Sequence, residues 1–359
     1  MKAVRYYKAN DIRIEDIPVP EPVGDQVRIK IKWCGICGSD LHEYLDGPFL
    51  TPGTEPHPVF GTTNPITMGH EFSGVVEAVG PDCKKLKVGD RVVPEPVIAC
   101  GECLACKANQ KNRCEKSACF GLSDDNGAFA EYCNFTETLT HILPDNMTFE
   151  QGALIEPLAV GYHALKMGNF EEGQVAVVAG AGPIGLGIVA SLKARGAGKI
   201  IVVQRQSIRQ EYAVKCGADV ILDPNKDDVV AEVNRLTDGK GADIAFEATS
   251  AEQCFHLILD CIKKGGAEVV VSIWTKPVTV NLTPLVACEK SIIGSVDYNG
   301  SDFKDVIDLI SSGKMYIPPE YISKKIYLDD FIEEGMNTLT GPEKKAQVKI
   351  LVTPEKDLV

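Results

Sequence analysis

The stretch Val175-Ala176-Val177-Val178-Ala179-Gly180-Ala181-Gly182-Pro183-Ile184-Gly185 decides the fold. Five apolar residues in a row read as a strand buried on both faces, as in a parallel sheet covered by helices. The glycines that follow match G-x-G-x-x-G: the first permits a tight turn, the second lets backbone approach a pyrophosphate, and the third allows close helix–strand packing. Pro183 suits the first position of a helix, whose free N–H groups and positive dipole end would face phosphate. Alone the pattern is only a glycine turn. Between an apolar strand and a helix running to about Arg195, it predicts a dinucleotide site at Gly180, Gly182, Pro183, Ile184 and Gly185.

Working outward, the same texture repeats. Lys199–Val203 reads as a strand, Ser207–Cys216 as a helix, and Ala218–Leu222, Asp243–Glu247, Ala267–Val271 and Ser291–Gly294 as further strands. Residues 156–296 are therefore expected to form a doubly wound α/β domain. Residues 1–155 differ: short alternating runs such as Val27–Lys32, Gly74–Val79 and Asp90–Val93, bounded by Pro and Gly, predict a β-rich domain. Residues 47–65 carry five prolines and predict a long loop, either a pocket wall or subunit contact or a tolerated insertion. The tail, 297–359, with Gln347–Val352 as a strand, is expected to return to the first domain. The fold class is α/β.

The chain has 359 residues, 44% hydrophobic and 24% charged, with 37 Lys and Arg against 50 Asp and Glu and a formal net charge of −13. That composition excludes a disordered chain and makes nucleic acid and anionic membranes poor partners. No apolar run reaches the ~18 residues of a bilayer span, and the charged start Met1–Tyr6 lacks the apolar core of a secretory signal. The reading is a cytoplasmic protein.

In an NAD site a carboxylate is expected about 20 residues after the glycine turn, on the ribose 2′-hydroxyl. Here Gln204 stands there, and no carboxylate occurs between Val203 and Glu211. Arg205, Ser207 and Arg209 in the same turn suit a 2′-phosphate dianion, because guanidinium offers paired donors and permanent charge. NADP(H) is the expected cofactor, rather than NAD. A basic helix start exposed to water is the plainer alternative.

Thirteen cysteines in a chain with no sign of secretion point to metal or redox chemistry. Cys100-x2-Cys103-x2-Cys106-x7-Cys114 can converge four thiolates on one zinc ion in a lobe at about residues 95–118, and four ligands would leave no open position, so this zinc would be structural. The bacterial iron–sulfur run ends differently, in C-x3-C-P. Cys83, Cys119, Cys133, Cys216, Cys254, Cys261 and Cys288, scattered singly, read as small buried hydrophobes. A second set is more dispersed. Cys37 and His70, with a carboxylate from Glu71 or Glu156, supply the mixed ligands of a catalytic zinc with an open position. A rival reading takes Cys34-Gly35-Ile36-Cys37 as a thiol–disulfide motif, but explains neither the quartet nor the nucleotide half.

Taken in order, Cys37-Gly38-Ser39-Asp40-Leu41-His42, Gly69-His70-Glu71, Val88-Gly89-Asp90-Arg91-Val92, the cysteine quartet, Glu156-Pro157 and the Gly180 turn resemble the zinc-dependent medium-chain alcohol and polyol dehydrogenases, over essentially the whole chain. The resemblance implies a GroES-like catalytic domain, a Rossmann domain, an active site in the cleft between them, and a homodimer or homotetramer. It implies that Cys37 and His70 bind the catalytic zinc and that Glu71 and Glu156 bind it directly or through water. By the same likeness Ser39 takes the alcohol proton and His42 passes it to solvent. Within the family, Gly35–Pro48, the proline-rich loop after it and Ser272-Ile273-Trp274 resemble the branch acting on (R,R)-2,3-butanediol and acetoin, many members of which carry an acidic residue where this chain has its arginine-bearing turn. The implied function is reversible hydride transfer between NADP(H) and a small secondary alcohol or ketone. A sorbitol- or threonine-type substrate on the same scaffold is the alternative, and a non-enzymatic Rossmann protein would lack the catalytic zinc.

Overall fold

A computed structural model describes residues 1–359. The chain divides into two compact units: Met1–Glu156 with Asn299–Ile307 and Ile322–Val359, and Pro157–Tyr298 with Asp308–Tyr321. The tail is thus split. Asp308–Tyr321 belongs to the second unit, where the Tyr321 hydroxyl donates to the Pro183 carbonyl at 2.6 Å.

The first unit is built on the strand Gln26–Gly35, in which Val27, Ile29, Ile31 and Trp33 are buried and Arg28, Lys30 and Lys32 between them are half-buried. That period-2 pattern fixes one face to the core. The strand lies inside a seven-stranded sheet, with Glu71–Val79 on one side and Lys349–Thr353 on the other, both antiparallel to it. Lys349–Thr353 in turn pairs in parallel with Ile322–Tyr327, a strand that sequence reading passed over. Tail residues Ile326, Phe331, Met336, Ile350 and Val352 share one hydrophobic core with Val27, Ile29 and Phe72. Residues 47–65 contain no strand or helix. Buried Glu43 anchors that loop, accepting from the Phe49 and Leu50 amides and the Thr51 hydroxyl.

The second unit holds a six-stranded parallel sheet in the order Val220–Leu222, Lys199–Val203, Val175–Ala179, Ala242–Glu247, Ile262–Val270, Ser291–Gly294. Ala176–Ala179 and Ile200–Val203 are buried throughout, because helices cover both faces. Val175–Ala179 lies where strand order reverses, and the glycine turn leaves its carboxyl end there. The helix expected from Ser207 begins at Arg209, with Ile208 as its flanking residue. No helix of the chain is long and apolar enough to cross a membrane.

Glu268, in the fifth strand of this sheet, is fully buried and neither carboxyl oxygen has a hydrogen-bond partner. Burial, then the nearby Glu247 charge, pushes its pKa up to about 9. The unfolded chain deprotonates near the ordinary value of about 4.5, whereas the folded one keeps its proton to about 9, so stability falls as pH rises between these values and is flat above. Glu268→Gln is expected to raise stability at pH 8 by about 1–3 kcal/mol and to flatten that decline. Urea unfolding at pH 5 and pH 8 checks it; an equal effect at both pH values would show that the carboxyl does not carry the shift.

Candidate active site

Three neighbouring strands bring the first cluster together. Gln26–Gly35 ends where Gly35 pairs with Glu71 on one side and Leu351 on the other. The chain then turns through Cys37 into the helix Gly38–Asp46. This places Cys37 at the helix N-terminus, Ser39 in its first turn, and His42 one turn further, exposed to water. Gly69, at φ +106°, adopts a backbone that disfavours side chains, and a Cβ there would meet the Phe129 amide at 2.7 Å; it directs His70 and Glu71 inward.

Ligand atoms of Cys37, His70 and Glu71 lie within 4.8 Å of one another, with His70 and Glu71 buried. Glu156, also buried, starts the helix Ile155–Met167 and lies outside that close group, but near enough for its charge to raise both the Cys37 thiol and the Lys349 ammonium. Ser39 Oγ is 3.4 Å from His70 Nε2. On the opposite edge of the ring, His70 Nδ1 faces Asp40 Oδ1 at 3.7 Å, and both atoms are buried without a hydrogen-bond partner. Asp40 also accepts from the Cys37 amide at 2.8 Å. Burial raises the Asp40 carboxyl to about 6, against the lowering effect of His70. A carboxylate behind Nδ1 favours the tautomer whose Nε2 lone pair is free to bind a metal.

The donor set tests whether a cation fits. Burial, then the Glu71 charge, drives the Cys37 thiol well above its usual range, and Lys349 only partly offsets this. Cys37, Glu71, Glu156 and Asp40 therefore converge with one ammonium among them, so a divalent ion is the charge that would let the thiol ionise. Sulfur, imidazole and carboxylate together match zinc.

Lys349 is a site residue with no signal in the sequence. It is buried, and its Nζ donates to Glu71 Oε1 and Oε2 at 2.8 and 2.5 Å and to the Ile36 carbonyl at 3.1 Å. Burial pulls its pKa down, but Glu71 and Cys37 outweigh that and raise it. Cys34 is buried in the hydrophobic core with its thiol pushed far up by burial, which removes the reactive thiolate that the thiol–disulfide reading needs.

In the second cluster Cys103 Sγ lies 3.5 Å from Cys106 Sγ and 3.9 Å from Cys114 Sγ, and Cys100 Sγ lies 3.9 Å from Cys106 Sγ. A tetrahedron of sulfurs about 2.3 Å from zinc has edges of about 3.8 Å. The Cys103 amide points at Cys100 Sγ, and those of Cys100 and Lys116 at Cys114 Sγ, as suits thiolates. Amide donors, that of Cys106 foremost, lower Cys103 to about 6, while burial raises Cys106 to about 12. All thirteen cysteines are free thiols. Of the seven scattered ones, Cys133, Cys216 and Cys261 are buried, whereas Cys83, Cys119, Cys254 and Cys288 are only half-buried.

At the glycine turn, Gly180 has φ +93°, and a Cβ on Gly185 would lie 2.0 Å from the Gly180 carbonyl oxygen. A Cβ on Gly182 would meet nothing nearer than Arg209 Nη1 at 3.9 Å, so that glycine opens space for a ligand and Arg209 stands beside it. Gln204 is folded back: its Oε1 accepts from the Ala181 amide at 2.9 Å and its Nε2 donates to the Arg205 carbonyl. Arg205 is exposed and Ser207 half-buried.

The chain matches the family model of the alcohol dehydrogenase GroES-like domain over residues 24–145 and that of zinc-binding dehydrogenases over residues 183–312. It is 42% identical over 356 residues to an (R,R)-butanediol dehydrogenase of Neisseria gonorrhoeae, covering 99% of both chains. The crystal structure of 2R,3R-butanediol dehydrogenase from Bacillus subtilis superposes with a TM-score of 0.92 at 43% identity, again over 99% of each chain. A zinc-binding dehydrogenase of Sinorhizobium meliloti bound to NADP superposes with a TM-score of 0.87 at 28% identity, over 98% of this chain and 99% of that one. A GroES-like unit carrying a thiolate–imidazole–carboxylate cluster, a doubly wound parallel sheet and this likeness over its whole length make the chain a member of the zinc-dependent medium-chain alcohol dehydrogenase family.

Proposed function

We propose that this protein interconverts (R,R)-2,3-butanediol and acetoin using NADP(H). The observation that carries the chemistry is the group of half-buried Cys37 with buried His70 and Glu71, beside which Ser39 Oγ lies 3.4 Å from His70 Nε2. The substrate follows from the likeness to the butanediol dehydrogenases. For the cofactor, the support is the turn after Val203: Gln204 is engaged with Ala181 rather than presented to a ribose hydroxyl, and Arg205 and Ser207 remain for a 2′-phosphate.

Cys37 and His70, with a carboxylate from Glu71 or Glu156, would hold one zinc ion, and Cys100, Cys103, Cys106 and Cys114 a second. When bound, the first zinc would supply Lewis acidity and the oxidised nicotinamide would accept the hydride leaving the alcohol carbon, both proton and hydride moving the other way in ketone reduction. Ser39 Oγ, next to His70 Nε2, takes the proton of the substrate hydroxyl. His42 is three residues further on the same helix and exposed, which suits it to pass that proton to water. Asp40 keeps the imidazole of His70 oriented throughout. Gly180, Gly182, Pro183, Ile184 and Gly185 receive the pyrophosphate at the helix N-terminus, with Arg209 beside it.

The edge strand Ser291–Gly294 has no further neighbour, and Ile292, Leu282, Val286 and Val296 are exposed. An open edge with apolar surroundings favours self-association, so the protein is read as a cytoplasmic homodimer or homotetramer. Sedimentation of the protein in dilute buffer as a monomer would rule that assembly out.

The deciding experiment is reductase turnover with acetoin, fructose and acetone, each with NADPH and NADH, together with metal analysis. The expected result is about two zinc ions per chain, highest kcat/KM for acetoin, and a preference for NADPH of at least about tenfold, or 1.4 kcal/mol. Higher kcat/KM with fructose would move the substrate to the polyol branch, and preference for NADH would reject the 2′-phosphate reading. One zinc per chain with no turnover would overturn the function.

A further inference from the structure

We propose that Lys349 is a positioning residue of the catalytic metal centre: its ammonium clamps both oxygens of Glu71 beside Cys37 and His70 and offsets one negative charge there. The inference rests on the metal site proposed above and adds to it a residue from the last strand of the chain.

The geometry is built rather than incidental. Lys349 and Glu71 are 1% and 0% exposed, so neither can exchange its partner for water. Each Glu71 oxygen receives a hydrogen bond from Nζ, and the third contact goes to the Ile36 carbonyl, one residue before Cys37. The Ile36 amide donates to the Ile350 carbonyl at 3.0 Å, which pins the two segments together just beside the ligand. Gly35 leaves the room: a Cβ there would lie 2.3 Å from Glu71 Oε2 and 3.2 Å from Lys349 Cδ. A backbone position is thus kept bare for this ion pair. With three strands in fixed register around it, the carboxylate has one available orientation.

Charge gives the pair its purpose. A zinc dication with ionised Cys37, Glu71, Glu156 and Asp40 and a neutral His70 would carry a net charge of −2, in surroundings where an uncompensated charge is costly. Lys349 halves that excess to −1 without occupying a ligand position, because an ammonium cannot bind a metal. Partners behind ligands commonly set metal affinity by 10- to 100-fold. Lysine provides a compact point charge; arginine would keep the charge but spread it over a planar fork.

The test is competition for zinc between the full-length protein and a chromophoric chelator, with the ion of the cysteine quartet as internal control. Lys349→Met is expected to weaken the site of Cys37 and His70 by about 10- to 100-fold and leave the quartet unchanged, with Lys349→Arg in between. Cobalt substituted at the weakened site should show a shifted visible spectrum, and the loss should appear in kcat rather than in KM for cofactor. In a Glu71→Gln background, adding Lys349→Met should change affinity by less than about twofold, because the carboxylate through which it acts has gone. If Lys349→Met alone does not fold, the Glu71→Gln/Lys349→Met pair compared with Glu71→Gln still decides, since both charges leave together. Wild-type affinity in folded Lys349→Met, or a full loss in the Glu71→Gln background, overturns the proposal. Wild-type protein that binds only the quartet zinc overturns the metal-site reading instead, and this inference with it.

Discussion

Cys37→Ser is expected to lower kcat by at least about a thousandfold, or about 4 kcal/mol of barrier, while NADPH affinity stays within about twofold. Serine is a good residue at a helix N-terminus, so the helix Gly38–Asp46 and the fold around it should survive. What is lost is the thiolate: a hydroxyl in this buried, carboxylate-rich setting has no means of ionising, and a centre without its sulfur ligand binds zinc weakly. Zinc content should drop from about two to about one per chain, leaving the quartet ion in place. Turnover and metal analysis on the same preparation check the prediction. Retained turnover with one zinc lost would detach the chemistry from the metal; retained turnover with both ions would remove Cys37 from the ligands.

Arg205→Glu is the second large effect. The apparent KM for NADPH should rise by about 10- to 100-fold, with little change for NADH, because the substitution replaces a donor to the 2′-phosphate by a repelling carboxylate. Arg205 is exposed, so the penalty should shrink as salt rises from about 0.05 to 0.5 M. Arg209 behaves differently by its position. Expected from the sequence to share the 2′-phosphate with Arg205 and Ser207, it has its Nη1 beside Gly182, at the turn proposed to receive the pyrophosphate that both cofactors carry, so Arg209→Gln should weaken NADPH and NADH together. Steady-state kinetics with both cofactors at two salt concentrations separates the roles. An unchanged KM for NADPH in Arg205→Glu would defeat the NADP(H) assignment.

Much of the fold is legible because its determinants are local. Val175–Ala179, Lys199–Val203 and Ser291–Gly294 have the bounds expected from their short apolar runs. The helix predicted from Ser207 starts two residues later, a usual scale of error where side-chain caps are absent. The cysteine quartet is legible for the same reason: four ligands within fifteen residues need only one folded lobe to meet. Cys37, His70 and Glu71 are weak signals singly and are legible only as a set of metal-ligating types in one domain beside a dinucleotide-binding turn. Their mutual distance is not, because it depends on the register of Gln26–Gly35 against Glu71–Val79.

The chain's own order of residues therefore determined the parallel sheet, the glycine turn and the closed cysteine lobe, each set by side chains a few positions apart. Only the tertiary structure decided that Asp40 stands behind His70, that Gln204 folds onto Ala181, that Glu268 is buried without a partner, and that Lys349 reaches Glu71 across 278 residues of sequence. Periodicity records which face of an element is apolar, but not which distant element covers it. An ion pair made by two strands that meet only in the assembled sheet leaves no trace in the sequence around either partner.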